Sequence, residues 1–360
     1  MKKILAIVQH RKDRSPGQRF RFEQYMSFLQ ENGFEIIFSN VLNEKSDKIF
    51  YSKGKYFSKF IIIIKSFFKR RKDLKIAKTV NCVYIYREAF MLGTIYFERK
   101  ISKLKIPIIY DFDDAIWLND TSNANKKFAW LKNSEKTKKI CKLANVVITG
   151  NNFLADYARQ FNNNVIVIPT TLNLEIYETV KIHSLQDKIC IGWTGSETTL
   201  KHFNHIIPTL NKIKEKYESK IYFKVIASRF YAETDFEIIF SEWSKESEIE
   251  ELLEFDIGIM PLPDDEWSKG KCGFKGLQCM ALKIPVVMSK VGTNIEIIKN
   301  GENGFLVEKE DEWINCLSKL IDSEITRKEI GGKGYETVKN KYSFDVWKSK
   351  YLQIFKEISL

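Results

Sequence analysis

Two lysines four residues apart, Lys271 and Lys275, flank Gly273 in the run KGKCGFKGLQCMALKIPVV. An ammonium group is a compact charge with three donors, suited to phosphate oxygens. A glycine-bearing loop that opens a helix adds free N–H groups and the positive end of the helix dipole. The stretch Lys271-Cys272-Gly273-Phe274-Lys275 therefore reads as an anion site sized for a diphosphate. Upstream, Gly192-Trp193-Thr194-Gly195-Ser196 is a strand running into a glycine turn. Two readings are open there: the glycines shape the turn, or the Gly195 and Ser196 amides also approach the phosphate, since glycine permits close backbone contact.

A second group of candidates is acidic. Asp111, Asp113 and Asp114 follow an apolar run, and Asp113 or Asp114 could position an acceptor hydroxyl or take its proton. Capping of the next helix is the plainer alternative. The spacing of Asp111 and Asp113 also matches the D-x-D that holds Mn²⁺ or Mg²⁺ across a diphosphate, but a chain with its own phosphate loop needs no metal, and none is expected. Arg19 and Arg21 follow a Pro16-Gly17 turn, and Arg87 and Glu88 end another strand. Arg19 and Arg21 could hold an anionic acceptor or a donor phosphate, and Arg87 and Glu88 are acceptor-binding candidates, with ordinary salt bridges as the alternative for the arginines. His10, His183, His202 and His205 lack metal spacing, and His202 and His205 read as surface positions on one helix face.

The elements that must position these groups follow a β/α rhythm. Expected strands are Ile4 to Val8, Phe34 to Phe38, Cys82 to Tyr86, Pro107 to Tyr110, Val146 to Thr149 and Val165 to Ile168. Helices are expected over 22–32, 93–104, 128–143 and 153–161, with His10 to Phe20 as a loop. Pro169 to Lys188 lacks a core pattern and reads as a linker. The rhythm then restarts with strands Ile189 to Trp193, Tyr222 to Ala227, Asp256 to Leu262 and Pro285 to Ser289. Helices over 202–217, 247–255, 274–282 and 313–321 accompany them, and an amphipathic tail spans Phe344 to Ile358. Two consecutive α/β domains result, and such sheets bind ligands at the carboxyl ends of their strands.

Composition narrows the partner. The chain has 360 residues, enough for two domains, and a formal charge of +12, which favours an anionic partner. The basic residues are dispersed and no nucleic-acid module is recognisable, so nucleic acid is not expected. Six scattered cysteines fit neither a zinc site nor a redox pair, as in a reduced, cytoplasmic protein. The apolar run after Met1-Lys2-Lys3 is too short for a signal peptide and suits a first strand. Tyr51 to Lys78 mixes large apolar residues with a basic cluster. It reads as a basic amphipathic surface for an anionic membrane, placing the protein on the inner face of the cell membrane. Packing of Ile61 to Ile64 and Phe67 into the domain is the alternative.

The sequence resembles the retaining "group 1" nucleotide-sugar glycosyltransferases of family 4, in a branch associated with bacterial surface polysaccharides such as lipopolysaccharide or capsule. The resemblance rests on Tyr84-Ile85-Tyr86-Arg87-Glu88, Tyr110 through Trp117, Ile191 through Ser196, Met260-Pro261-Leu262 through Pro285-Val286-Val287, and Asn300-Gly301 through Leu306. It implies the GT-B fold: two Rossmann-like domains whose parallel sheets face a central cleft, with the last helix crossing back to the first domain. Residues 1–170, joined by helix 344–360, would hold the acceptor, and 171–343 the donor. The implied substrates are a nucleotide diphosphate-sugar and a lipid-linked glycan hydroxyl, with retention at the anomeric carbon and no cofactor. Lys275 would stabilise the leaving diphosphate.

In such families two glutamates separated by seven residues commonly serve the donor. Here those positions are Gly270 and Gln278, so Gln278 could reach a ribose hydroxyl only as a neutral amide, and Asp265 or Glu266 could substitute for the missing carboxylate. A sugar-nucleotide epimerase of similar fold, a glycogen-type phosphorylase and a non-catalytic binding relative are the alternatives.

Overall fold

The computed structural model describes residues 1–118, 133–178, 188–231 and 234–359. The described residues divide into two compact units, Met1–Thr171 with Trp347–Leu360, and Leu172–Val346.

The N-terminal unit is built on six strands: β1 (Lys2–His10), β2 (Phe34–Leu42), β3 (Cys82–Tyr86), β4 (Ile108–Phe112), β5 (Val146–Thr149) and β6 (Val165–Val167). They are all parallel, in the order β2-β1-β3-β4-β5-β6. Continuous apolar runs dictate this arrangement. Ile4, Leu5, Ala6, Ile7 and Val8 are all buried, as a parallel strand covered on both faces requires. The chain leaves β1 toward β2 on one side and returns to β3 on the other. The carboxyl ends of β1 and β3 thus form a topological switch point, where such sheets take ligands.

The C-terminal unit repeats the plan with β7 (Ile189–Gly195), β8 (Ile221–Ala227), β9 (Ile238–Glu242), β10 (Ile257–Met260), β11 (Val286–Ser289) and β12 (Phe305–Val307). Their order is β12-β11-β10-β7-β8-β9, again all parallel. Its switch point lies between β7 and β10. Gly192 shows how tightly this sheet is covered: a Cβ there would stand 2.1 Å from the Phe255 ring.

The tail helix Phe344–Ile358 buries Tyr351, Leu352, Ile354 and Phe355. Tyr351 stacks on Tyr25 at 4.0 Å and donates its hydroxyl to the Arg21 carbonyl, so the end of the chain is part of the N-terminal unit.

Several elements differ from expectation. The segment 10–20 contains the helix Pro16–Arg21. The helix expected from Phe128 appears as Glu135–Leu143, residues 128–132 lying outside the described residues. Part of the presumed linker is core, with Leu172, Leu174 and Tyr177 buried; residues 179–187, His183 among them, lie outside the described residues.

The basic stretch forms a 22-residue helix, Tyr56–Ala77, turned inside out. Its buried side carries Lys59, Ser66, Arg70 and Asp73 beside Ile62. Arg70 pairs with Asp73 at 2.8 Å and bonds the Val8 carbonyl; Asp73 accepts from Ser39. Phe57, Phe60, Ile64 and Phe68 face solvent, Phe57 being 75% exposed. Ile64 therefore does not pack into the domain, whereas Phe67 does, against Phe90, Tyr96 and Phe97.

Candidate active site

At the C-terminal switch point, β7 ends at Gly195 and the chain turns through a 3-10 segment, Glu197–Thr199, into the 18-residue helix Leu200–Tyr217. Reciprocal bonds between Ser196 and Thr199 form a capping box at this turn. On the neighbouring side, β10 runs into the loop that carries Lys271, Cys272 and Gly273 and opens the helix Phe274–Ala281. Gly273 sits at φ +66, and a Cβ there would meet Ile297 Cδ1 at 2.2 Å, so two constraints demand glycine.

The sequence candidates Gly195, Lys271, Gly273 and Lys275 gather at this corner. The Lys275 ammonium lies over the Trp193 ring, 4.5 Å from its centroid, and donates to Thr199 Oγ1 at 3.1 Å. A Cβ on Gly195 would come within 2.8 Å of that ammonium and 2.2 Å of the Trp193 ring. Glycine at 195 is what lets lysine, indole and turn backbone meet. Lys271 lies over the Trp267 ring at 4.9 Å. Thr194 and Cys272 are buried, and Phe274 is partly buried at the helix start. Two helix starts and two ammonium groups converge here, an arrangement that binds anions.

Three groups that sequence reasoning did not assign complete the corner: Trp193, Thr199 and His202. His202 is 3% exposed rather than a surface residue. Burial, then Lys275, Lys201 and Lys271, lower its pKa to about 4, so it is neutral at neutral pH. An isolated histidine on a helix carries no sequence signal of such a setting.

Other expectations are corrected. Gly192 lies within β7, where the Phe255 ring explains the glycine, so it is a packing residue. Gln278 is buried and donates to Tyr177 Oη at 3.3 Å, which engages it inside the unit. Asp265 caps the short helix Glu266–Lys269 by accepting from Ser268 N–H, and Glu266 pairs with Lys269. Neither substitutes visibly for the missing glutamates.

At the N-terminal switch point the charges are paired. Arg87, at φ +61, directs its guanidinium to Asp113 at 2.7 Å and also to Asp114. Asp113 further accepts from Tyr86 Oη at 2.7 Å. Gly17 fits tightly beside them, since a Cβ there would fall 2.1 Å from Tyr86 Oη and 2.6 Å from Asp113 Oδ2. Tyr86 and Gly17 are therefore parts of this cluster that the sequence did not reveal.

Arg21 is corrected: it is buried and forks onto Asp111 Oδ1 at 2.9 and 3.0 Å, so it is a core ion-pair residue rather than an acceptor contact. Asp111 accepts from Tyr84 through its other oxygen, and burial raises its carboxyl to about 6 against the pull of Arg21. With Asp111 enclosed and Asp113 held by Arg87, the D-x-D pair does not present two carboxylates to one cation. Among the described residues no cluster of three or more metal-ligating side chains occurs. Arg19 is largely buried and lies over the Phe20 ring at 5.0 Å; Glu88 pairs with Lys136.

Residues 189–323 match the family model described as "Glycosyl transferases group 1". A capsular polysaccharide biosynthesis glycosyltransferase, CapM of Staphylococcus aureus, is 37% identical over 76 residues, 21% of this chain and 20% of the relative. A probable sucrose-phosphate synthase of Thermosipho melanesiensis is 27% identical over 85 residues, 24% of this chain and 19% of the relative. These matches span about a fifth of either curated relative.

Among solved structures, a sucrose-phosphate synthase from Thermosynechococcus elongatus superposes with TM-score 0.73 at 13% identity, covering 99% of both chains. A glycosyltransferase from Rickettsia africae gives 0.69 at 16% identity, covering 99% of this chain and 98% of its own. Anabaena HepE in complex with UDP and glucose gives 0.68 at 12%, covering 99% and 100%. At these identities the likeness establishes the fold.

Proposed function

We propose, from the match of residues 189–323 to the group 1 glycosyl transferase model and from the GT-B fold, that the chain moves a sugar from a nucleotide diphosphate-sugar to a hydroxyl of a glycan acceptor in surface polysaccharide synthesis, with retention. The observation that carries this reading is the corner where Lys275 meets Thr199, Trp193 and Gly195. Charge develops on the departing diphosphate in the transition state, and preorganised cations and helix termini there lower the barrier. Lys275 and Lys271 supply that positive charge, with the amides around Gly195 and Ser196 as further donors. The family match over residues 189–323 supports a nucleotide-sugar partner, and HepE, with its UDP-glucose complex, is a structural neighbour that takes one. In the N-terminal unit, Asp113, held by Arg87 and Tyr86, is proposed to orient the acceptor hydroxyl.

The acceptor is proposed to be lipid-linked, with the Tyr56–Ala77 helix as the membrane contact. Its outward stripe Phe57, Phe60, Ile64 and Phe68 is flanked by exposed Lys65, Lys69, Arg71, Lys72 and Lys75. Apolar side chains inserted among headgroups, with lysines around them, are what an anionic interface rewards. Among the described residues no helix is long and apolar enough to cross a membrane.

The test is to incubate the protein with uridine, guanosine and adenosine diphosphate-sugars, with and without a lipid-linked glycan extract. Acceptor-dependent release of nucleoside diphosphate is expected from one donor class. Conversion of the donor's sugar without acceptor, or binding without any turnover, would contradict the transfer.

A further inference from the structure

His202 occupies the first turn of the Leu200–Tyr217 helix, three residues after Thr199, which takes the Lys275 hydrogen bond. It is 3% exposed, and its Nε2 is buried with no hydrogen-bond partner among the described residues. Leaving a buried polar atom unsatisfied is costly, and such atoms call for an explanation. The charged groups acting on the imidazole are Lys275 and Lys271 from the anion loop and its helix, Lys201 from its own helix, and Asp265 from the loop after β10. Three of the four are cations, so an imidazolium is disfavoured until negative charge arrives.

We propose that His202 is a third ligand of the diphosphate, binding a proton from solvent as the anion binds and donating Nε2–H to one of its oxygens. The inference rests on the donor reading given above and deepens it. A diphosphate placed among Lys275, Lys271 and the helix start cancels the repulsion that keeps the imidazole neutral, and it supplies the acceptor that Nε2 lacks. The only bond that forms is one imidazole N–H, and the only one that breaks is the bond holding that proton in a buffer acid, which is left as its conjugate base. Donor binding then tightens as pH falls, although burial and the lysines hold the imidazole of the free protein neutral throughout that range.

The test is calorimetric titration of the full chain with UDP, GDP, ADP and inorganic pyrophosphate from pH 5.5 to 7.5, in buffers of differing ionisation enthalpy. His202→Gln, which keeps a donor but cannot titrate, is the control. Wild type should take up more protons per ligand than His202→Gln. Its affinity relative to the variant should rise as pH falls by up to about tenfold per pH unit, the slope of one linked proton. The difference cancels the ligand's own phosphate titration. The chain has four histidines, so imidazole NMR on wild type gives the same answer should the variant misfold: the His202 resonance should move to the imidazolium position on adding ligand at pH 6.5. Binding with equal proton uptake in both proteins, or an unmoved resonance, overturns the inference while leaving the donor site standing. Failure of the whole panel to bind wild type removes both.

Discussion

At the carboxyl ends of the N-terminal sheet, basic side chains meet carboxylates: Arg21 with Asp111, Arg87 with Asp113 and Asp114, and Lys136 with Glu88. At the same edge of the C-terminal sheet, ammonium groups meet ring faces and a hydroxyl: Lys275 over Trp193 and on Thr199, Lys271 over Trp267. The first pattern joins opposite charges across the sheet edge; the second gathers two ammonium groups beside two helix starts. One architecture thus carries a paired electrostatic network at one sheet edge and, at the other, the corner proposed to bind an anion.

The comparison breaks most visibly in the N-terminal unit. Arg21→Leu strands the buried Asp111 carboxylate and should cost about 3–5 kcal/mol of stability, read as a lower denaturation midpoint; a loss within about 0.5 kcal/mol would mean the pair is not structural. Next comes Lys275→Ala, which should leave the melting curve near wild type and lower transfer by about 10²–10³-fold, as when a transition-state donor is removed. Gly195→Ala forces a methyl against the Trp193 ring and the Lys275 ammonium, so it should reproduce part of that kinetic loss by displacing the lysine. Unchanged kcat would show that the close approach is incidental.

A smaller effect concerns His202 and pH. Its folded pKa lies below the unfolded value of about 6.5, so the unfolded chain binds the extra proton between pH 6.5 and 4, and stability falls as pH drops through that window. In the ligand-free protein His202→Gln should remove on the order of 1 kcal/mol of that loss at pH 5.5. Identical pH–stability curves would place His202 in a more exposed setting than the one described.

The smallest effect is expected at the proposed membrane face. Replacing Phe57, Phe60 and Phe68 by Ser should abolish sedimentation with phosphatidylglycerol vesicles and raise solubility without destabilising the fold, because those rings face solvent. Retained vesicle binding would point to another surface.

The fold was largely legible because parallel strands are written as unbroken apolar runs; β1, β3, β5, β7 and β11 stand close to where their sequences place them. The edge strands β9 and β12 were not, being short or half exposed. The helix Glu324–Thr337 was hidden by Gly331, Gly332 and Gly334, poor helix formers by intrinsic propensity. Packing explains one of them, since a Cβ on Gly331 would stand 2.0 Å from the Lys283 carbonyl oxygen. The Lys275 corner was legible in part, because a glycine loop at a strand's end announces itself. Arg21 and Asp111 are 90 residues apart, and only the fold shows that they form a pair. His202 was misread because helical spacing tells which residues share a face, not which face is buried. Which side of the Tyr56–Ala77 helix faces inward was not legible for the same reason, its polar side being the inner one.

The central claim is that the Lys275 corner grips a donor's diphosphate, and calorimetric titration of wild type and Lys275→Ala with nucleoside diphosphates tests it most directly. Saturable binding by wild type is predicted for at least one of UDP, GDP and ADP, with affinity at least about tenfold weaker in a normally folded Lys275→Ala protein, as befits loss of a charge-assisted contact of about 1.5–3 kcal/mol. Equal affinity in the two proteins would contradict the account.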